Sequence, residues 1–127
     1  MRRCLQWGTF LGKALREYDG VDRIAVLGTG GLSHDIGTPN MGAVDEAFDR
    51  EVLRLLAQPD TAALVRYAQD NAAAAGNGAE EVRNWIVTRG VAGDAPLDVL
   101  FYESIPNWYV GISIAEWRVG AEAALSA

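Results

Sequence analysis

The chain contains one histidine, His34, and it closes the run Gly28-Thr29-Gly30-Gly31-Leu32-Ser33-His34. Imidazole titrates near neutrality, so at a ligand site it can take a proton from a phenolic hydroxyl and return it later in a reaction cycle. The run follows Ile24-Ala25-Val26-Leu27, a short continuous apolar stretch expected to form a strand buried on both faces. The carboxyl end of such a strand is where open α/β sheets bind ligands. An exposed loop histidine with no role would fit the same position.

The second candidate is an acid. Glu80 and Glu81 open an expected helix of about residues 79–89, where the helix dipole favours either carboxylate. At about 100° per residue, Val82, Trp85 and Ile86 define the buried stripe. Glu81 lies on its flank, one turn before Trp85, and Glu80 points nearly opposite. A carboxylate bordering an apolar stripe requires a metal, a cation or several hydrogen-bond donors. Glu81 is therefore the candidate, with Arg83 and Arg89 as possible plain salt-bridge partners.

Sharper motifs fail. The glycine run lacks the third glycine of the dinucleotide fingerprint and no Gly-Lys-Ser/Thr follows it. Gly31-Leu32-Ser33-His34-Asp35 lacks the last glycine of a nucleophile elbow. A Ser-His-Asp triad would have to pair His34 with its own neighbour Ser33, and adjacent side chains diverge. Cys4 is the only cysteine, which excludes an intramolecular disulfide and a cysteine-based zinc site, and suits the cytoplasm.

The elements that must position these groups follow from periodicity. Cys4, Leu5, Gly8, Leu11, Gly12 and Leu15 form a helical stripe that Gly20 ends. Arg2 and Arg3 oppose the dipole and no cap residue precedes them, as expected of a helix whose first turn lies upstream. Helices are expected over about 43–57, with the stripe Val44, Phe48, Val52 and Leu55, and over 61–75, capped by Asp60 and stopped at Gly76-Asn77-Gly78. Leu97 to Tyr102 and Tyr109 to Trp117 read as strands joined at Pro106-Asn107. The expectation is a single α/β domain over 1–127: a mixed sheet flanked by helices with a C-terminal β-hairpin, forming an incomplete half of a larger α/β domain. Three strands leave sheet edges uncovered. A homo-oligomer, an N-terminal half or a small second subunit would cover them.

Half of the 127 residues are hydrophobic, and 17 acidic against 11 basic residues give a formal charge of −6. With no basic cluster to neutralise phosphates, nucleic acid is not an expected partner. The N-terminus lacks the apolar run of a signal peptide, and no stretch of about eighteen apolar residues could span a membrane.

Taken together, Arg2-Arg3-Cys4, the Gly28–His34 run, Gly76-Asn77-Gly78-Ala79-Glu80-Glu81-Val82-Arg83-Asn84-Trp85 and Val110-Gly111 resemble the class III extradiol ring-cleavage dioxygenases. That group includes the catalytic (beta) subunit of protocatechuate 4,5-dioxygenase and the gallate dioxygenases. The resemblance covers nearly the whole chain, and Gly-Gly-Leu-Ser-His is its most specific part. It implies cleavage of a catechol-type substrate by O2 at non-haem Fe(II), with the iron held by two histidines and one carboxylate. It places the acid/base role on His34 and the carboxylate ligand on Glu81. It also implies substrate contacts at Ser33 and, in the loop from Ser104 to Gly111, at Asn107. Ile105-Pro106 departs from the family pattern and leaves the catechol undefined. The two ligand histidines have no counterpart here, so this chain alone is expected to be inactive and unable to hold the Fe(II) cofactor firmly. The alternatives are a non-catalytic subunit or scaffold derived from that family, and an α/β anion-binding module built on the glycine turn.

Overall fold

The computed structural model describes residues 1–120. Helix α1 spans Arg2–Arg16, and its N-terminus has no side-chain cap hydrogen bond. A long irregular segment then leads through the glycine run to α2 (Glu46–Leu56) and α3 (Thr61–Asn71). Both start on an aspartate: Asp45 accepts from Phe48 N, and Asp60 accepts from Ala62 N and Ala63 N. The alanines after Asn71 form a turn rather than more helix, and Gly76, at φ 116°, starts a 3₁₀ turn over Asn77–Glu81. Helix α4 follows over Val82–Ala92 and ends at Gly93, φ 65°.

The core is helical. Val52 and Leu56 of α2, Leu64 and Ala68 of α3, and Val82 and Ile86 of α4 close over Leu32, and each is at most 1 % exposed. Helix α1 packs along α4 by backbone contact at its glycines. A β-carbon on Gly8 would collide with the Val87 carbonyl, and one on Gly12 with the Val91 carbonyl. On the other side, Gly90 faces Leu5 O and Gly8. This explains why α4 runs on through Gly90, where the sequence suggested a stop: a glycine facing another helix permits close approach, and α4 tolerates its modest helix cost.

Strands β1 (Leu97–Ile105) and β2 (Val110–Trp117) pair antiparallel, from Leu97 opposite Trp117 to Ile105 opposite Val110, with a bulge near Leu100. A 3₁₀ turn over Pro106–Trp108 joins them, and Tyr109 takes the left-handed conformation at φ 62°. The C-terminal hairpin is thus present, but the mixed sheet is not: among the described residues the sheet is two-stranded and antiparallel. The expected buried strand Ile24–Leu27 is also corrected. It is irregular and exposed, with Ile24 at 43 %, Val26 at 40 % and Leu27 at 86 %. Among the described residues no strand lies against it, so its backbone lacks a strand to pair with there. No helix of the described residues is long and apolar enough to cross a membrane.

Candidate functional site

The glycine run is held by one face of α4 and the residue just before it. Glu81, Asn84 and Trp85 have the i, i+3, i+4 spacing that puts side chains on one helical face. They bind three successive residues of the loop: Asn84 Nδ2 donates to Thr29 O (2.8 Å), Trp85 Nε1 donates to Gly30 O (3.1 Å), and Glu81 accepts from Gly31 N at Oε2 (2.7 Å). The loop lies so close that a β-carbon on Gly30, φ 119°, would meet the Glu81 side chain. Beyond Gly31 the chain joins β2, through Leu32 N to Gly111 O and Gly111 N to Ser33 O, both 3.0 Å. His34 then bridges Val110.

These two anchorages bring His34 and Glu81 together. His34 Nε2 lies 4.0 Å from Glu81 Oε1, with the imidazole 12 % and the carboxylate 47 % exposed. His34 Nδ1 is 2.9 Å from Leu32 O. A carbonyl only accepts, so Nδ1 carries a proton, and in the neutral form of the ring the lone pair is on Nε2, facing Glu81. Gly78 leaves room for the ring, since a β-carbon there would overlap it. Neither arginine considered for Glu81 reaches it. Arg83 pairs with Glu80, and buried Arg89 donates to Gly93 O and Gln58 O.

The pair lies beside, not inside, two open cavities. A groove of about 1040 Å³ runs between residues 23–30 and β2, floored by Trp85, Thr88 and α1. Its lining reaches Gly30, the residue before the one whose N–H binds Glu81. A smaller hollow of about 310 Å³ is lined by Asp35, Asn40, Glu46 and Gly76.

Ser33, expected to meet substrate, is fully buried. Its hydroxyl donates to Asp49 Oδ2 (3.0 Å) and accepts from Asp45 N (2.8 Å), so it fixes the loop rather than lining an open surface. Asn107 is exposed on the turn between the strands, three residues before Val110, which bridges to His34.

Asp49 was missed in the sequence. In Glu46-Ala47-Phe48-Asp49 it reads as an ordinary first-turn acid, yet it is 0 % exposed. It accepts from Ser33 N (2.7 Å), the Ser33 hydroxyl and the Tyr102 hydroxyl (3.0 Å). Burial pushes its carboxyl above the ordinary value, outweighing the lowering by the Ser33 and Tyr102 hydrogen bonds. Burial, followed by the charge of Asp49, likewise raises the Tyr102 phenol, over whose ring the Arg50 guanidinium sits at 4.7 Å. The only sequence signal was the coincidence of Asp49 with the buried side of the Phe48, Val52 and Leu55 stripe.

The family model described as the catalytic LigB subunit of aromatic ring-opening dioxygenase matches residues 1–113. The chain belongs to this family. A gallate dioxygenase of Pseudomonas putida is 28 % identical over 89 residues, 70 % of this chain and 26 % of the relative. The chain therefore spans about a quarter of the length of the curated relative it matches.

Against a ferrous ion held by two imidazoles and a carboxylate, this member of the ring-opening dioxygenases offers a partial donor set. Glu81 is half exposed, with Oε2 on the loop amide and Oε1 the oxygen nearer His34 Nε2. His34 commits Nδ1 to the backbone. Among the described residues no group of three His, Cys, Asp or Glu side chains is placed to share a metal ion. Of the three side chains such an ion needs, the described residues offer at most one carboxylate, Glu81.

Proposed function

We propose that this chain contributes two groups to an extradiol ring-opening dioxygenase site for a catechol-type substrate. His34 is the acid/base, and Glu81 is the carboxylate ligand of Fe(II). The two histidine ligands come from polypeptide outside these 127 residues, with which the chain forms a larger α/β domain. The observation that carries this reading is the approach of His34 Nε2 to 4.0 Å from Glu81 Oε1. Bound Fe(II) would supply polarisation of the substrate oxygens and a site for O2. His34 would take a hydroxyl proton onto Nε2, the nitrogen left free by the Nδ1 contact, and return it as the ring opens. Glu81 would keep Oε2 on the Gly31 amide and present Oε1. Asn107, exposed on the turn three residues before Val110, would contact substrate, while Ser33 would act by holding the loop.

The test replaces the matched stretch of the Pseudomonas putida gallate dioxygenase with the corresponding stretch of this chain and assays ring opening with Fe(II) and O2. Activity should appear, fall by about 10²–10⁴ with His34→Ala, and be lost together with iron in Glu81→Ala. Full activity and full iron content after both changes would overturn the assignment. An inactive chimera that retains iron would favour the non-catalytic descendant.

A further inference from the structure

The peptide group between Leu32 and Ser33 is held at both ends by side chains. Its N–H, on Ser33, donates to Asp49 Oδ1 at 2.7 Å, and its C=O, on Leu32, is the group that His34 Nδ1 meets at 2.9 Å. We propose that Asp49 is a positioning residue for His34, acting through this single peptide. The buried carboxylate orients and polarises the amide, the amide carbonyl holds the imidazole proton on Nδ1, and Nε2 is left as the proton acceptor facing Glu81.

Three features support the relay. A hydrogen bond to an ionised acceptor is roughly twice as strong as a neutral one, and bonds in a chain polarise one another where water is excluded. Asp49 is 0 % exposed, and its three partners are all donors, which matches the acceptor-only carboxylate form. The peptide is also fixed by its neighbours: Leu32 N and Ser33 O are both on Gly111, and Asp45 N is on the Ser33 hydroxyl. Gly111 is needed here, because a β-carbon at that position would collide with Asp49 Oδ2. Here one amide intervenes, and the charge stays in the core.

That His34 then moves a proton in catalysis rests on the function proposed above, but the tautomer does not. His34 is the only histidine of the chain, so long-range ¹H–¹⁵N correlation on the labelled protein reads its ring without ambiguity. At a pH where the imidazole is neutral, wild type should hold the Nδ1–H tautomer. Asp49→Asn keeps an acceptor but removes the charge, and should lower the ratio of Nδ1–H to Nε2–H by about tenfold, the scale that separates charged from neutral hydrogen bonds. Ser33→Ala withdraws one hydroxyl donor from Asp49 but keeps the charge and the N–H, and should move the ratio far less than Asp49→Asn does. Should Asp49→Asn fail to fold, Tyr102→Phe serves instead. Withdrawing one donor strengthens the remaining bonds, so the Ser33 amide and His34 Nδ1 resonances should shift together. An Nε2–H tautomer in wild type would overturn the relay. So would an unmoved ratio in folded Asp49→Asn, a shift in Ser33→Ala as large as that in Asp49→Asn, or a Ser33 shift in Tyr102→Phe without one at His34. The expected tautomer alongside a chimera unaffected by His34→Ala would remove the functional reading and leave the relay standing.

Discussion

Residues 24–27 and 31–34 lie three residues apart in one segment, and they differ in nearly every physical respect. The first carries four apolar residues, yet it is exposed and outside any strand. The second is anchored to β2, α2 and the start of α4, with Leu32 and Ser33 fully buried. Hydrophobicity does not explain the difference, since Ser33 is polar and Leu27 is not. The later residues have partners for their backbone groups, and the earlier ones have none among the described residues. A buried loop is stable only when its polar backbone is satisfied, and Glu81, Asp49 and Gly111 do this around His34.

The contrast is sharpest in truncations of the same side chain. Leu32→Ala should destabilise by roughly 2–5 kcal/mol, as expected of a fully buried leucine, and Leu27→Ala by less than about 0.5 kcal/mol. Urea denaturation of both variants measures this, and comparable losses would show that the 24–27 segment is packed after all. A smaller effect is expected at Gly78, where a methyl group would press on the imidazole. Gly78→Ala should cost about 1–3 kcal/mol by overpacking and displace the His34 ring resonances, while Gly37→Ala, with open space around it but φ 71°, should cost about 1 kcal/mol through backbone strain alone and leave the ring unmoved.

The smallest effect concerns pH. Burial raises the Asp49 carboxyl above its ordinary 3.8 in the folded protein, so folding favours the protonated acid. Its contribution is complete below the unfolded-state value and is lost as pH rises through the folded-state value. The stability of wild type relative to Asp49→Asn should therefore be greatest in acid and decline between about pH 4 and the raised folded-state value. Thermal midpoints of the two proteins across that range measure it, and a difference that grew with pH would mean that the hydrogen bonds outweigh burial.

Much of the local structure was legible because its causes are local. Asp60 caps α3, Gly8 and Gly12 lie on the packed face of α1, and the hairpin turns at Pro106. Helical spacing also separated Glu81, which reaches the glycine loop, from Glu80, which pairs with Arg83. What could not be read depends on distant partners. Asp49 looks like a surface acid because its donors lie 16 and 53 residues away. Gly90 looks like a helix stop because the helix it faces is α1. Ile24–Leu27 looks like a buried strand because the pattern records a tendency, and a strand also needs neighbours.

The account depends on His34 and Glu81 meeting, and with one histidine in the chain this is directly measurable. A nuclear Overhauser spectrum of the folded protein should show contacts from the His34 ring protons to the side-chain methylenes of Glu81, and these should vanish in Glu81→Ala and persist in Glu80→Ala. Ring contacts that bypass Glu81, or that survive its removal unchanged, would contradict the site.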